Sequence, residues 1–218
     1  KDKEKYEEVV KENVGTNEDK ALRSQVNDFI QKMKDNLMAV RKDGSGVAHY
    51  DTEKDAVYMP KQENFEHYSD YVQEMLRQVV SATGHQQRLA REGMVMKNGI
   101  APSEDAVKQE KLMVELASGI KMMEMGMPAK ISKENMGLVD YWNRELKENP
   151  CLIDAIESDV NNALDVIHKA ERGEKIEYSS LKNEQQTTEM QAQMPKHYFV
   201  ADEIAKHPDS EQKFVVIV

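Results

Sequence analysis

Apolar residues along this chain recur mostly at three- and four-residue intervals, the spacing that lines one face of an α-helix. Leu22, Val26, Phe29, Ile30, Met33 and Leu37 predict a helix from about Asp19 to Val40, ending near Asp43 to Gly46. The pattern then shortens to alternation: "VAHYD" and "DAVYMP", joined by "TEK", predict two strands of a hairpin with Val57 and Met59 on one face and Tyr58 on the other. From about Asn64 a helical stripe returns through Tyr68, Tyr71, Val72, Met75, Leu76, Val79, Val80 and Thr83, and closes at Gly84.

Ser103 followed by Glu104 and Asp105 is an N-terminal capping signal. The helix it opens is predicted to turn Leu112, Met113, Leu116 and Ile120 inward and to end before Gly126 and Pro128. Ser132 is expected to start the next, which carries Leu138, Val139, Trp142 and Leu146. Asn149-Pro150 restarts the chain with a cap and a first-turn proline. Leu152, Ile156, Val160, Ala163, Leu164 and Ile167 then make a long stripe to Gly173.

Beyond Gly173 the Gln-rich "SSLKNEQQTTEMQAQMPK" reads as a polar linker. A short helix is expected around Asp202 to Lys206, and the terminal "FVVIV" is expected to pair as a strand with the hairpin, another copy or further residues. The resulting division is residues 1–46 as an N-terminal helical segment, 47–173 as the main domain, and 174–218 as linker and tail. The fold class is α+β, predominantly helical, with a small β-hairpin or sheet.

Composition narrows the chemistry. At 218 residues the chain can bury a sizeable core, and a net charge of −10 argues against a surface built to neutralise many phosphates. The single cysteine, Cys151, has no internal disulfide partner, so a reducing, cytoplasmic setting is expected, and no apolar run approaches the roughly 20 residues that span a bilayer. The first residue is Lys and no signal-peptide pattern follows, so a fragment or a processed chain is expected, and whether a domain stands upstream is left open. His49, His67, His85, His168, His197 and His207 include no pair at the i, i+4 spacing that grips zinc from one helical face. Cys151, just inside a helix start, reads as a small buried side chain rather than a nucleophile. Of the 14 methionines, Met122 or Met125 in "KMMEMGMPAK" is assigned to the core.

The order "AHYDTEKDAVYMPKQENFEHYSDYVQEMLRQVVSATGHQQRL", "EKLMVELASGIKMMEMGM" and "VDYWNRELKENPCLIDAIESDVNNALDVI" resembles the C-terminal zincin-like metallopeptidase domain of ArdC-type antirestriction proteins. That family carries a "YYxPxxDxIxMP" hairpin, a "HELxHWTGH" helix, an "EELVAEL" helix and a "WLxxLKxDP" helix in the same order. The match covers about Val47 to Ile167, and residues 1–46 are too few for the family's N-terminal single-stranded DNA binding domain.

Aligned on Thr83-Gly84-His85, the resemblance puts the first ligand histidine on Arg77, the catalytic glutamate on Gln78 and the second ligand histidine on Ser81. A zincin needs two imidazoles to hold the ion and a carboxylate to take a proton from its water. Arginine stays protonated, glutamine is no base, and serine is a poor zinc donor. The zinc of the family is therefore not expected here. His85 with Glu110 or Glu115, the latter two by alignment with "EELVAEL", are the candidates for a residual site. Arg77 either takes the place of the ion's charge and pairs with Glu110 or Glu115, or is an exposed position on a helix whose other face is core.

The resemblance thus implies a catalytically inactive zincin-like domain of a mobile-element accessory protein, of the kind carried by conjugative plasmids and transposons, acting by binding an unidentified protein partner. Two other readings stay open. One is a metal-dependent hydrolase with a non-standard ligand set drawn from His85, Glu115 and His49 or His67. The other is a DNA-binding antirestriction factor that uses a missing N-terminal domain or the basic residues of "HQQRLAREGMVMKNG".

Overall fold

Val26, Phe29 and Met33 are three and four residues apart, and all three are fully buried, which anchors the first helix among the described residues, α1, described over residues 20–36. The computed structural model describes residues 20–42, 46–97 and 99–176. The expected Gln-rich linker from 177 on, the helix near Asp202, the "FVVIV" strand, His197 and His207 lie outside the described residues.

Helix α1 does not run to Val40. The N–H groups of Leu37 and Met38 both return to the Met33 carbonyl, at 2.9 and 3.1 Å, and close the last turn. Ala39–Lys42 then forms strand β1, with Val40 set beside Val57 in parallel register. Pairing with a buried strand outweighs the helical spacing of this short segment.

The hairpin forms as expected: β2 (His49–Asp51) runs antiparallel to β3 (Ala56–Met59), with Tyr50 opposite Val57. Its turn is held by Asp51, whose Oδ1 accepts from the backbone N–H groups of Glu53 and Lys54 at 3.0 and 2.9 Å. The sheet order is β1-β3-β2, so the chain leaves one edge, builds the other, and fills the centre last. The division expected at residue 46 falls between β1 and β2 of this one sheet. Ala56, Val57 and Met59 of the central strand are buried, and α1 shares their core.

A short 3-10 turn, Gln62–Asn64, precedes α2 (Tyr68–Thr83), which starts at the first residue of its apolar stripe rather than at the expected Asn64. Val72, Met75, Leu76, Val79, Val80 and Thr83 have no exposed surface, as expected of the stripe. Helix α3 (Glu104–Glu124) is capped by Ser103, whose Oγ accepts from the Ala106 N–H at 3.1 Å. Its buried face differs from the expected one: Met113 is buried, Leu112 and Ile120 are half-buried, and Leu116 is 45% exposed. The side turned inward instead carries Glu115, Ala117, Ser118, Lys121 and Met122. Small residues bring the helix close to its neighbours, and the charged ones find partners there.

Ser132 opens a 3-10 turn, Asn135–Leu138, by accepting from the Asn135 N–H at 3.1 Å, and α4 follows only at Val139–Glu148. Trp142 is buried, with its indole N–H on the Lys108 carbonyl at 2.9 Å. Helix α5 (Cys151–Arg172) buries all six residues of its expected stripe and ends at Gly173, whose φ of +66° is a left-handed conformation that glycine adopts without strain. Met122 and Met125 are both in the core. Cys151 is not: it is exposed, because the stripe that begins with Leu152 points the preceding residue outward. Helix α2 packs on the sheet and on both α3 and α5, and so lies at the centre of the domain.

Candidate functional site

The polar residues that interrupt the apolar stripe of α2 face α3 and the segment that follows it. Gln73 is buried and holds Lys130 by both ends of its backbone, accepting from its N–H at 3.0 Å and donating to its carbonyl at 2.5 Å. One turn on, Arg77 is only 9% exposed. Its Nε and Nη2 donate to Glu115 Oε2 at 3.1 and 3.0 Å, its Nη1 to Glu74 Oε2 at 2.9 Å, and its Nη2 also to the Lys130 carbonyl at 2.8 Å.

Glu115 is equally committed. Its second oxygen, Oε1, accepts from the Ser132 N–H at 3.2 Å and from Asn135 Nδ2 at 2.8 Å. A buried carboxylate that receives four N–H donors, two of them from one guanidinium, has little left to offer a cation. Gln78 is half-buried and donates to Glu74 Oε1 at 2.8 Å, and Ser81 is half-buried one turn further along.

The other carboxylate singled out, Glu110, belongs to a separate cluster. The turn after α2 folds back so that Arg91, 5% exposed, reaches Glu110 Oε1 from Nη2 at 2.8 Å and Glu110 Oε2 from Nε at 2.9 Å. Arg91 also donates to Thr83 Oγ1 at 2.6 Å and to the Val80 carbonyl at 2.9 Å, and so closes the C-terminal turn of α2 with positive charge. Gly84 makes room for it: a Cβ there would lie 2.7 Å from Arg91 Nη2.

Arg88, 6% exposed, clamps the opposite side of that helix end. It pairs with Asp55 at 2.6 and 2.8 Å and donates to the carbonyls of Leu37 and Ala82. Burial would raise the Asp55 pKa, but the hydrogen bonds from Arg88 and from the Tyr50 hydroxyl, together with the Arg88 charge, outweigh it and hold the carboxyl below its usual range. The Tyr50 phenol is pushed up, first by burial and then by its bond to that carboxylate.

The two arginines read in the sequence as part of a nucleic-acid patch are therefore internal clamps. A basic side chain counts as solvent-facing in any pattern analysis, and the carboxylates that bury Arg88 and Arg91 lie 33 and 19 residues away along the chain. The nearby apolar Leu89, Met94 and Val95, all half-buried, are the local signal that this segment folds inward.

His85 is half-buried, with Nε2 3.2 Å from the Thr52 carbonyl and its ring edge-on to Tyr50. His49 stacks on Tyr58 at 5.0 Å, and His67 is exposed. Glu115, Glu110 and His85 thus each have their own partners. Among the described residues no three His, Cys, Asp or Glu side chains form a group able to hold a metal ion. The residue types at positions 77, 78 and 81 do not fit a zinc ion, and a guanidinium is bonded to the one nearby buried carboxylate.

Among the described residues no helix is long and apolar enough to cross a membrane. The family model for zincin-like metallopeptidases matches residues 15–157. No curated protein matches the chain significantly. Among solved structures it is similar to the antirestriction ArdC protein of the R388 plasmid, in a metal-free crystal structure (TM-score 0.59, 19% identity, 70% of this chain) and an Mn(II)-bound one (TM-score 0.59, 19% identity, 68% of this chain). In each case 52% of the ArdC chain is covered, so the chain spans about half the length of these structures. At that identity the likeness is one of fold, and the family match adds the lineage: the chain belongs to the zincin-like metallopeptidase family.

Proposed function

We propose that this domain acts by binding rather than by peptide hydrolysis, as a zincin-like scaffold in which Arg77 occupies the place of the metal. The observation that carries the reading is the buried Arg77–Glu115 pair. The resemblance aligns Arg77 with the first ligand histidine, and a fixed cation there satisfies the same buried carboxylate chemistry that an ion would otherwise neutralise. Gln78, aligned with the catalytic glutamate, can donate and accept hydrogen bonds but cannot carry a proton away from water.

The ArdC protein of the R388 plasmid was crystallised with Mn(II), so that relative accepts a divalent metal. In this chain the same fold serves as the framework of an accessory protein of a mobile element, linked to antirestriction through a protein partner. The test is metal content. Purified from zinc- and manganese-supplemented medium, the protein is expected to contain far less than one metal per chain by mass spectrometry. About one bound ion per chain, retained on dialysis, overturns the reading and returns the hydrolase with an unusual ligand set.

A further inference from the structure

A cavity of about 610 Å³ lies against β1, lined also by α1, Met59 at the end of β3, the 3-10 turn and the start of α2. Its chemistry is opposite to that of the chain. Lys34, Arg41, Lys42 and Lys61 line it against a single carboxylate, Glu63, in a protein of net charge −10. All four cations are exposed, and none forms an ion pair with a described residue.

The floor is apolar, with Ile30 and Val40 half-buried beneath the charges. Strand β1 is the edge of the sheet and pairs only with β3 among the described strands, so its outer backbone groups have no strand partner there.

We propose that this groove docks an extended, acidic polypeptide segment of a partner protein, which adds as a further strand to β1. An unpaired strand edge presents N–H and C=O groups at the two-residue repeat that another extended backbone matches, and the flanking lysines and arginine select acidic side chains and speed encounter. Single-stranded nucleic acid fits less well, because its binding sites use free aromatic faces on which bases stack. Here those faces are taken. Tyr68 and Tyr71 stack on each other at 6.0 Å, Arg23 covers Tyr68 at 4.2 Å, and Phe65 packs edge-on against Tyr71. This proposal does not depend on whether Arg77 replaces a metal.

The probe is a fluorescein-labelled peptide of alternating Glu and Val, seven residues long by design at about two per strand repeat, followed by anisotropy at low and moderate salt. Its controls are the Lys-for-Glu peptide, two peptides N-methylated at alternate residues in each register, and oligo-dT. The acidic peptide is expected to bind and to weaken about tenfold or more in the Lys34→Glu, Arg41→Glu, Lys61→Glu variant, as three exposed charge contacts predict. One of the two N-methylated peptides is expected to lose binding and the other to keep it. The three positions are exposed, so an unchanged melting temperature separates lost binding from lost fold. No binding, equal binding by the variant, indifference to N-methylation, or tighter binding of oligo-dT that the same variant abolishes would each overturn the proposal.

Discussion

Arg77 and Glu115 meet across the α2–α3 interface with two guanidinium nitrogens on one carboxylate oxygen, Oε2, at 3.1 and 3.0 Å, which leaves Oε1 to a backbone amide and to Asn135. Neither charge has water to fall back on, since their side chains are 11% and 4% exposed. Removing one partner strands the other. Arg77→Met is expected to cost about 3–5 kcal/mol of folding stability in urea titration. Arg77→Met with Glu115→Gln, which removes the orphaned charge but keeps an acceptor for Asn135, is expected to recover at least half of that loss. A single substitution costing under about 1 kcal/mol would show that the pair is not the buried clamp described here.

Two glycines after α2 make a graded test of close packing. At Gly93 an added Cβ would lie 2.5 Å from Glu110 Cβ and 2.6 Å from the Ala106 carbonyl oxygen, whereas at Gly84 it meets the end of the Arg91 side chain. Backbone yields less readily than a guanidinium. Gly93→Ala is therefore expected to destabilise by about 2–3 kcal/mol and Gly84→Ala by about 1–2 kcal/mol, in that order by thermal melting. The reverse order would mean that Arg91 is held more rigidly than the α3 backbone.

The Asp55 carboxyl has a folded pKa below its unfolded one. Its ionised form therefore contributes stability that is present above the ordinary aspartate range, near pH 4, and is lost as pH falls through the lowered folded value. Glu124, held down by His168 and Lys121 against the opposing effect of burial, behaves in the same sense. Asp55→Asn is expected to make the loss of stability between about pH 4 and pH 2 shallower, measured by denaturant titration at each pH. An identical slope in the variant would remove Asp55 from the acid response.

Cys151 is exposed at the first turn of α5. Ellman's reagent is expected to titrate one thiol per chain in native buffer, at a rate that denaturant raises by less than about threefold. A thiol that reacts only after unfolding would place Cys151 in the core after all.

The elements that could be read in advance are those whose burial is apolar. The stripes of α2 and α5 and the alternation of the hairpin each repeat a period over enough residues to be unambiguous. Strand β1 was concealed because Val40 continues the spacing of α1, and only pairing with Val57, seventeen positions on, makes it a strand. The inward face of α3 was misjudged at Leu116 because pattern analysis ranks Glu115, Ser118 and Lys121 as solvent-facing. Two of the buried charges, Arg88 and Arg91, share one cause: each is made tolerable by a carboxylate distant in sequence, and no local window contains both halves of such a pair. The pairing of Arg77 with Glu115 was open to the sequence only through the resemblance, which offered Glu110 or Glu115 as its partner, with an exposed Arg77 as the alternative.

Arg88 joins the Leu37 carbonyl after α1, Asp55 at the end of the hairpin turn and the Ala82 carbonyl at the end of α2, reaching 51 residues back along the chain. Until all three segments are in place a guanidinium at that position is better solvated by water, so its burial cannot precede their assembly. The close of α1, the hairpin and the end of α2 therefore gain protection together. Native-state hydrogen exchange at these three places is expected to follow a single opening, with α1 protected to the same degree as the hairpin and the end of α2.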